Sequence, residues 1–401
     1  MKSTMLQRQY VSECSVATTP GHRVPRVPRA RTVAMVGTYP PTACGLATFT
    51  QNLSYAIAAG ASWRVIVVRV LDTPEVPTQP EVVAHWVGGD RPSMRAAIEA
   101  TTGSDVVVLQ HEYGLFAGRD GDEVLEFVDA LSSALVVVLH SVLARPSAHQ
   151  REILERLVRA SSLIVVQSHH ARRRLCDLYA VAPSRVVVLA HGATANFTGE
   201  VPLVAHPRIL TWGLLGPGKG IEHAIAALAR LAHRAPAATY VVAGATHPKV
   251  LAAEGERYRH ALENECDQLG VRERVIFDDG YRDWESLRAL VRSADVVLLP
   301  YDSRDQESSG VLVEALASGR PVVATRFPHA VELLGSGAGL LVDQGDVAAM
   351  SAALERVLYE PGVAASMRES ACREGTALLW PTIGAAYREV LARVVADRLE
   401  A

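Results

Sequence analysis

Short Val-, Ile- and Leu-rich runs alternate with helix-like segments along this chain of 401 residues, and they limit its possible folds more than any other feature. The runs are apolar at successive positions, so both faces of each strand are predicted to be buried. The segments between them are long enough to form the helical crossovers that parallel strands need. In the first half the runs are Thr32–Thr38, Arg64–Leu71, Asp105–Gln110, Leu135–His140, Leu163–Gln167 and Arg185–Ala190.

The same alternation restarts after a break at Gly199–Pro207, a segment that contains prolines and has weak periodicity. The later runs are Arg208–Leu214, Thr239–Ala243, Arg274–Phe277, Asp295–Pro300, Pro321–Thr325 and Gly339–Val342. The predicted fold class is α/β, with two Rossmann-like, doubly wound parallel-sheet domains that face each other across a cleft. The predicted divisions are a disordered leader at 1–30, an N-terminal domain at 31–200, a C-terminal domain at 206–378 and a helix at 379–401 that could cross back to the first domain.

Composition excludes several classes of protein. The net charge is −3, so no strong overall field attracts nucleic acid, and no segment has the roughly 18 uninterrupted apolar residues of a membrane span. The five cysteines have no C-x-x-C or metal-like spacing, which favours a reduced, cytoplasmic setting. The arginines of the leader could contact the anionic inner face of a membrane, although a solvated tail is the simpler interpretation.

The segment Leu299–Asp343 combines a buried strand, an acidic Ser- and Gly-rich loop and an apolar helix that carries Glu314. A loop that ends at a helix N-terminus can hold phosphate. A carboxylate on that helix is costly to bury, and hydrogen bonds from a ribose diol would compensate for the cost. The segment therefore predicts a nucleotide diphosphate ligand.

Lys219 lies in a second phosphate-type loop, Gly213–Ile225, which follows a strand and opens a helix. Its glycines let the backbone approach a ligand, and the lysine adds a point charge. The loop is not a Walker P-loop, because Gly220 follows the lysine where Ser or Thr is required. In the first domain the turn Gly37–Phe49 lacks a dinucleotide fingerprint, but Gly45 would allow close approach of a substrate.

Histidines end neighbouring strands of the first domain. His111 opens the sequence HEYG and His140 ends VVVLH, so both are predicted to face the cleft at the carboxyl ends of the strands. His191 closes the last strand of this domain in the same way, and an interdomain structural role suits it equally well. The sequence Asp120-Gly121-Asp122 imitates a metal-binding D-x-D, but its loop-like surroundings give no reason to expect a metal.

Taken together, these residues resemble the retaining glycosyltransferases of family 4, which have the GT-B architecture, from about Arg31 to the C-terminus. The sequences HEYGLF, LHSVL and PHAVELL are most similar to a bacterial branch often described as mannosyltransferases. The resemblance implies transfer of a hexose with retention, mannose from GDP-mannose, to a hydroxyl of a glycan, lipid or small molecule. It also implies that the nucleotide sugar is the co-substrate and that no metal or other cofactor takes part.

The resemblance assigns roles to individual residues. The implied catalytic groups are His140, Lys219 and Gln306. The implied donor-binding residues are Gly45, Gly218, Lys219, Gly280, Glu307, Ser309, Gly310, Val311 and Glu314. The acceptor-side candidates are His111 and Glu112.

The chain departs from the family pattern at two positions. Leu214 stands where the family usually has an arginine in a G-R-x-x-x-x-K-G motif, so Lys219 would act alone or with another basic residue. Gln306 replaces the first glutamate of an E-x7-E pattern, and Glu307 follows one position later. An amide can still hydrogen-bond sugar hydroxyls, but it contributes no charge.

The resemblance leads to a mechanism in which the acceptor attacks the donor's front face with help from the leaving phosphate. Lys219 and backbone amides would stabilise the negative charge that builds on the diphosphate. Two alternatives stay open at this point. One is a nucleotide-sugar epimerase on the same fold, and the other is a degenerate scaffold that binds a nucleotide sugar without transferring it.

Overall fold

The computed structural model describes residues 30–76, 79–197, 207–231, 237–280, 282–302 and 308–400. The first domain has a parallel sheet of seven strands in the order β3-β2-β1-β4-β5-β6-β7. Its strands are β1 (Arg31–Gly37), β2 (Trp63–Leu71), β3 (Val82–Val87), β4 (Val106–His111), β5 (Ala134–Leu139), β6 (Leu163–Val166) and β7 (Val186–Val188). Its helices are α1 (Gly45–Ala58), α2 (Arg91–Thr101), α3 (Glu123–Asp129), α4 (Ala148–Ala160) and α5 (His169–Tyr179).

The second domain has a parallel sheet of six strands in the order β10-β9-β8-β11-β12-β13. Its strands are β8 (Arg208–Trp212), β9 (Thr239–Ala243), β10 (Val275–Asp278), β11 (Val296–Leu299), β12 (Val322–Thr325) and β13 (Gly339–Val342). The helices of this half are α6 (Ile221–Leu231), α7 (Pro248–Glu254), α8 (Arg257–Gln268), α9 (Trp284–Ser293), α10 (Gly310–Leu316), α11 (Pro328–Leu334), α12 (Val347–Tyr359), α13 (Val363–Ala377) and α14 (Trp380–Glu400).

The predicted fold class of two Rossmann-like, parallel-sheet α/β domains is confirmed. The sequence pattern missed β3, which lies at the edge of the first sheet. Its side chains are buried only in part, and His85 interrupts the apolar run, so the segment does not look like a strand buried on both faces.

Helix α14 lies against the first domain although it follows the second along the chain. Trp380, Tyr387 and Leu391 belong to the same buried cluster as Met35 and Phe49 of the first domain. Burial of such large apolar side chains stabilises the packing of this helix on the sheet, at roughly 1.5–3 kcal/mol for each fully buried side chain.

The chain crosses between the domains beside Ala193. The amide of Ala193 donates to the carbonyl of Leu378 at 2.8 Å, and the amide of Trp380 donates to the carbonyl of Ala193 at 2.9 Å. The predicted leader at 1–30 and the predicted linker at Gly199–Pro207 lie almost entirely outside the described residues. Among the helices in the described ranges, none has the length and apolar character needed to cross a membrane.

Candidate functional site

The loop after β8 brings Lys219 to the end of β11. Gly220 has a φ of +63°, and a β-carbon on it would lie 1.9 Å from the carbonyl oxygen of Pro300, so only glycine fits here. The amide of Asp302 donates to the carbonyl of Gly218 at 3.0 Å. These contacts hold the Lys219 ammonium 4.6 Å from the centre of the Tyr301 ring, a cation–π distance. The lysine is therefore fixed beside Tyr301, which lies just after β11.

Ionisable side chains at the start of α6 and after β11 lie close together. His223 at the start of α6 places its Nε2 3.3 Å from a carboxylate oxygen of Asp302. Together with Glu222, these side chains form a group with metal-ligand spacing within the described part of the chain. Glu222 also accepts a hydrogen bond from the hydroxyl of Tyr258 at 2.9 Å. The group joins the Lys219 loop to the segment that follows β11.

Glu314 lies on α10 with its carboxyl group turned toward Trp212 at the end of β8. Burial raises the pKa of Glu314 to about 7, and a hydrogen bond from the Trp212 side chain partly opposes that rise. The carboxyl group is thus close to half ionised near pH 7. A ligand that donates hydroxyl hydrogen bonds would favour its ionised form, as the predicted ribose contact requires.

The entry to α10 is held by a histidine that the sequence patterns did not indicate. The amide of Ser309 donates to Nδ1 of His329 at 2.9 Å, and the Ser309 hydroxyl accepts from the amide of Leu312 at 3.2 Å. A β-carbon on Gly310 would lie 3.0 Å from Nε2 of His191, so the first domain reaches the helix start directly. The Ser309 amide, which was expected to bind diphosphate, is already engaged in this structure.

His140 follows β5 and lies against the ring of Phe49, with ring centres 4.9 Å apart. Its Nε2 is 2.8 Å from Oε1 of Gln110, and its Nδ1 is 3.1 Å from Nε2 of Gln167. With these amide orientations, Nε2 carries the proton and donates while Nδ1 accepts. Burial lowers the pKa of His140 to about 3, so the ring is neutral at physiological pH. A donor sugar could bond this ring only by replacing one of the glutamines.

His111 ends β4 and is almost fully buried, with 1% of its surface exposed. Neither ring nitrogen has a hydrogen-bond partner among the described residues. Burial lowers the pKa of His111 to about 4, so this ring is also neutral. An unpaired buried imidazole costs free energy, and a water or ligand hydroxyl at either nitrogen would recover it.

Glu112 follows His111 and is held by its neighbours. Its carboxylate accepts hydrogen bonds from the amide of Tyr113 at 3.0 Å and from the hydroxyl of Ser141. Burial raises the pKa of Glu112, whereas these hydrogen bonds and the charge of Lys249 lower it. The acceptor-side candidates therefore share one short segment at the carboxyl edge of the first sheet.

Arg69 of β2 holds the glycine turn of the first domain in place, and its side chain is fully buried. Its Nε donates to the carbonyl of Tyr39 at 2.9 Å, and another nitrogen pairs with Glu75 at 2.9 Å. Gly45 begins α1 immediately after its N-cap, Cys44. Apart from its chain neighbours and its own helix, no atom of the described residues lies within 4 Å of the position of a β-carbon on Gly45, so these residues leave room for a close approach there.

Both carboxylates of the D-x-D sequence contact one histidine. Nδ1 of His149 lies 2.9 Å from Asp120, and its Nε2 lies 3.3 Å from Asp122. The imidazole therefore bridges both carboxylates. The sequence alone could not indicate this pairing, because His149 is 29 residues from Asp120.

The predicted site residues of the second half of the chain fall into three sets. The first set lies on neighbouring loops and helices at the carboxyl edge of the second sheet: Gly218, Lys219, Ser309, Gly310, Val311 and Glu314. Gly280 lies apart, in an exposed bend beside Asp278 after β10. Gln306 and Glu307 lie outside the described residues.

Four residues near the site were not singled out from the sequence: Gln110, Gln167, Lys249 and His329. Gln110 and Gln167 each lie at or just after a strand end, and this position was the available signal. His329 occurs within the sequence PHAVELL, but its place at the site became visible only from its hydrogen bond with the amide of Ser309.

Comparison with known proteins finds a family model and curated relatives that match part of this chain. Residues 203–374 match the model described as "Glycosyl transferases group 1". The D-inositol 3-phosphate glycosyltransferase of Corynebacterium glutamicum is 29% identical over 255 residues, covering 60% of this chain and 59% of the relative. A GDP-mannose-dependent alpha-(1-6)-phosphatidylinositol monomannoside mannosyltransferase of Mycolicibacterium smegmatis is 33% identical over 181 residues, or 44% of each chain. The chain thus spans less than two thirds of the length of these relatives.

Solved structures share the two-domain fold over nearly the whole chain. Sucrose-phosphate synthase from Thermosynechococcus elongatus has a TM-score of 0.73 at 18% identity and covers 92% of this chain and 100% of its own. HepE of Anabaena in complex with UDP and glucose has a TM-score of 0.73 at 18% identity, with 90% and 100% covered. At this identity the likeness establishes the fold.

Proposed function

We propose that this chain, whose residues 203–374 match the model of glycosyl transferases group 1, is a retaining glycosyltransferase. It would move a hexose from a nucleotide diphosphate sugar to a hydroxyl group. The observation that carries the proposal is the placement of Lys219 beside Tyr301, in a loop packed on Pro300, within the domain that matches the family.

Lys219 is proposed to stabilise the leaving diphosphate. The anomeric carbon–oxygen bond to the phosphate breaks, the acceptor oxygen bonds to the same carbon, and the acceptor's proton passes to the departing phosphate oxygen. The ammonium is fixed before the reaction by the contacts of Gly218 and Gly220, so little reorganisation is needed as charge develops. The acceptor attacks from the face that the phosphate leaves, which accounts for retention without a protein nucleophile.

Glu314 is proposed to bind the ribose of the donor. Burial raises the pKa of its carboxyl group, so hydrogen bonds from ligand hydroxyls would stabilise the ionised form that burial disfavours. Gly310 and Val311 begin the same helix and are proposed to face the diphosphate. His140, with both nitrogens held by glutamines, is proposed to shape the sugar pocket through its neutral ring.

The donor is proposed to be GDP-mannose and the enzyme metal-independent. Guanine as the donor's base and mannose as its sugar are supported by the resemblance to mannosyltransferases and by the name of the Mycolicibacterium smegmatis relative. The name of the Corynebacterium glutamicum relative suggests a phosphorylated cyclitol as one acceptor to include in a panel. The Anabaena structure with UDP makes UDP-sugars the necessary comparison.

A calorimetric and thermal-shift screen of GDP-mannose against UDP-glucose and ADP-glucose tests the donor. Saturation at about 100 times the dissociation constant should stabilise the protein by roughly 2.7 kcal/mol. A shift with GDP-mannose alone supports the proposed donor. A shift with a UDP-sugar alone would show that the donor is a UDP-sugar, while the proposed reaction class would stand. If no nucleotide sugar shifts the melting temperature, the proposed function is contradicted.

A further inference from the structure

Lys249 joins the two halves of the cleft, although no motif in the sequence marked it. It lies on α7 in the second domain, and its ammonium donates to the carbonyl of Gly114 in the first domain at 3.1 Å. The lysine side chain is exposed, so the contact holds a long, flexible side chain in one place. The bond depends on how far apart the domains lie, because its two ends belong to different domains.

The segment that Lys249 contacts is the one that carries the acceptor-side candidates, residues 111–114. Within it, Glu112 is tied to Ser141 and Tyr113, while the hydroxyl of Tyr113 donates to the carbonyl of Gln150 at 3.1 Å. Gly114 is exposed at the end of this segment and has Lys249 as its contact across the cleft. The charge of Lys249 also favours the ionised form of Glu112, which burial disfavours.

We propose that Lys249 is a positioning residue that fixes residues 111–114 when the domains close, so that a nucleotide diphosphate bound by the second domain orders the acceptor side. The contact couples the two sites. A ligand that binds more tightly when the domains are close together also favours the Lys249–Gly114 bond, and the bond strengthens binding of that ligand by the same free energy. The inference rests on the proposed function for the identity of the two sites.

Two substitutions separate the contact from the charge. Lys249→Met removes the ammonium and keeps most of the side chain's length. Gly114→Ala keeps the ammonium but places a methyl group where a β-carbon would be 2.4 Å from it, so the flexible lysine end must move away. Lys249→Arg restores a donor, and Arg257→Met is the matched control, because Arg257 is exposed on α8 and pairs with Glu254 at 2.8 Å.

Amide hydrogen exchange of residues 112–117 is the test, measured without ligand and with saturating GDP. Lys249→Met and Gly114→Ala should speed exchange by about two- to tenfold, the effect of losing one hydrogen bond, while Arg257→Met should not. Lys249→Arg should restore most of the protection. GDP should slow exchange of this segment in the wild type and leave it unchanged in Lys249→Met.

Exchange in Lys249→Met that matches the wild type, with and without GDP, would overturn the inference. Failure of this inference can be distinguished from failure of the proposed function. If GDP, UDP and ADP all fail to bind, the proposed donor site is wrong, whereas the ligand-free comparison of wild type and Lys249→Met still decides whether the contact orders the segment.

Discussion

The two sides of the cleft are built in different ways. The second-domain side rests on backbone contacts between adjacent loops, as where Gly220 packs on the Pro300 carbonyl, and these contacts carry a fixed positive charge on Lys219. The first-domain side presents buried histidines that are neutral at physiological pH. His140 is held by Gln110 and Gln167, whereas the ring nitrogens of His111 have no hydrogen-bond partner among the described residues. Under the proposed function, the second domain would stabilise charge and the first domain would shape the pocket.

Replacing Lys219 should give the largest effect if this division holds. Lys219→Met is expected to lower turnover by about 10²–10³-fold, comparable to the loss of one preorganised group that stabilises transition-state charge. Steady-state kinetics with the donor found in the screen measures it. Arg356→Met, which breaks only an exposed pair with Glu360 on α12, should leave turnover unchanged. Unchanged turnover in Lys219→Met would remove the leaving-group role from this residue.

Glu314→Gln should change stability and nucleotide affinity in opposite directions. The folded-state pKa is about 7 against an ordinary value of 4.5, so ionisation destabilises the folded protein as pH rises from 4.5 to 7. That cost is fully present above pH 7 and is at most roughly 3 kcal/mol. The variant should therefore melt higher than wild type at pH 8 and equally at pH 4.

GDP should nevertheless bind Glu314→Gln more weakly at pH 8, because the amide is a poorer acceptor for a diol than a carboxylate. Calorimetric titration at pH 8 measures the change. If the variant is more stable and binds GDP as tightly as wild type, Glu314 is a buried structural acid and does not contact the ribose.

Gln110→Leu tests whether the first-domain side is independent of nucleotide binding. It removes the acceptor for Nε2–H of His140 and should lower the free energy of unfolding by about 1–3 kcal/mol, the cost of an unpaired buried group. Gln51→Leu, whose hydrogen bond to Tyr55 is exposed, should cost much less. Denaturant unfolding gives the stabilities, and GDP affinity should be the same in both variants. A loss of GDP affinity in Gln110→Leu would show that the two sides are not separable.

The same contrast explains what the sequence could predict. The second-domain side is made of contiguous stretches, so strand, glycine loop and helix could be recognised from local order. The first-domain side depends on pairs that are distant along the chain, such as His140 with Gln110, 30 residues away. Local patterns carry no information about such pairs, and for the same reason the Asp120–His149 contact and the role of Lys249 were not predicted.

Strand prediction failed where burial was incomplete. The buried strands of both sheets were recognised from continuous apolar runs, whereas β3 was missed because it lies at the sheet edge and is only partly covered. Gln306 and Glu307 lie outside the described residues, so their proposed part in holding the sugar stays a prediction from the resemblance.

The central claim is transfer of a hexose with retention, and the most direct measurement is product formation by the wild-type protein. GDP-mannose, UDP-glucose and ADP-glucose are each incubated with a panel of hydroxyl acceptors that includes a phosphorylated inositol, and products are followed by mass spectrometry and anomeric NMR. The account predicts a product that is one hexose heavier than its acceptor and keeps the donor's anomeric configuration. The yield should be the same with and without a metal chelator. A donor that binds yet gives neither transfer nor release of nucleoside diphosphate with any acceptor would contradict it, as would an inverted product.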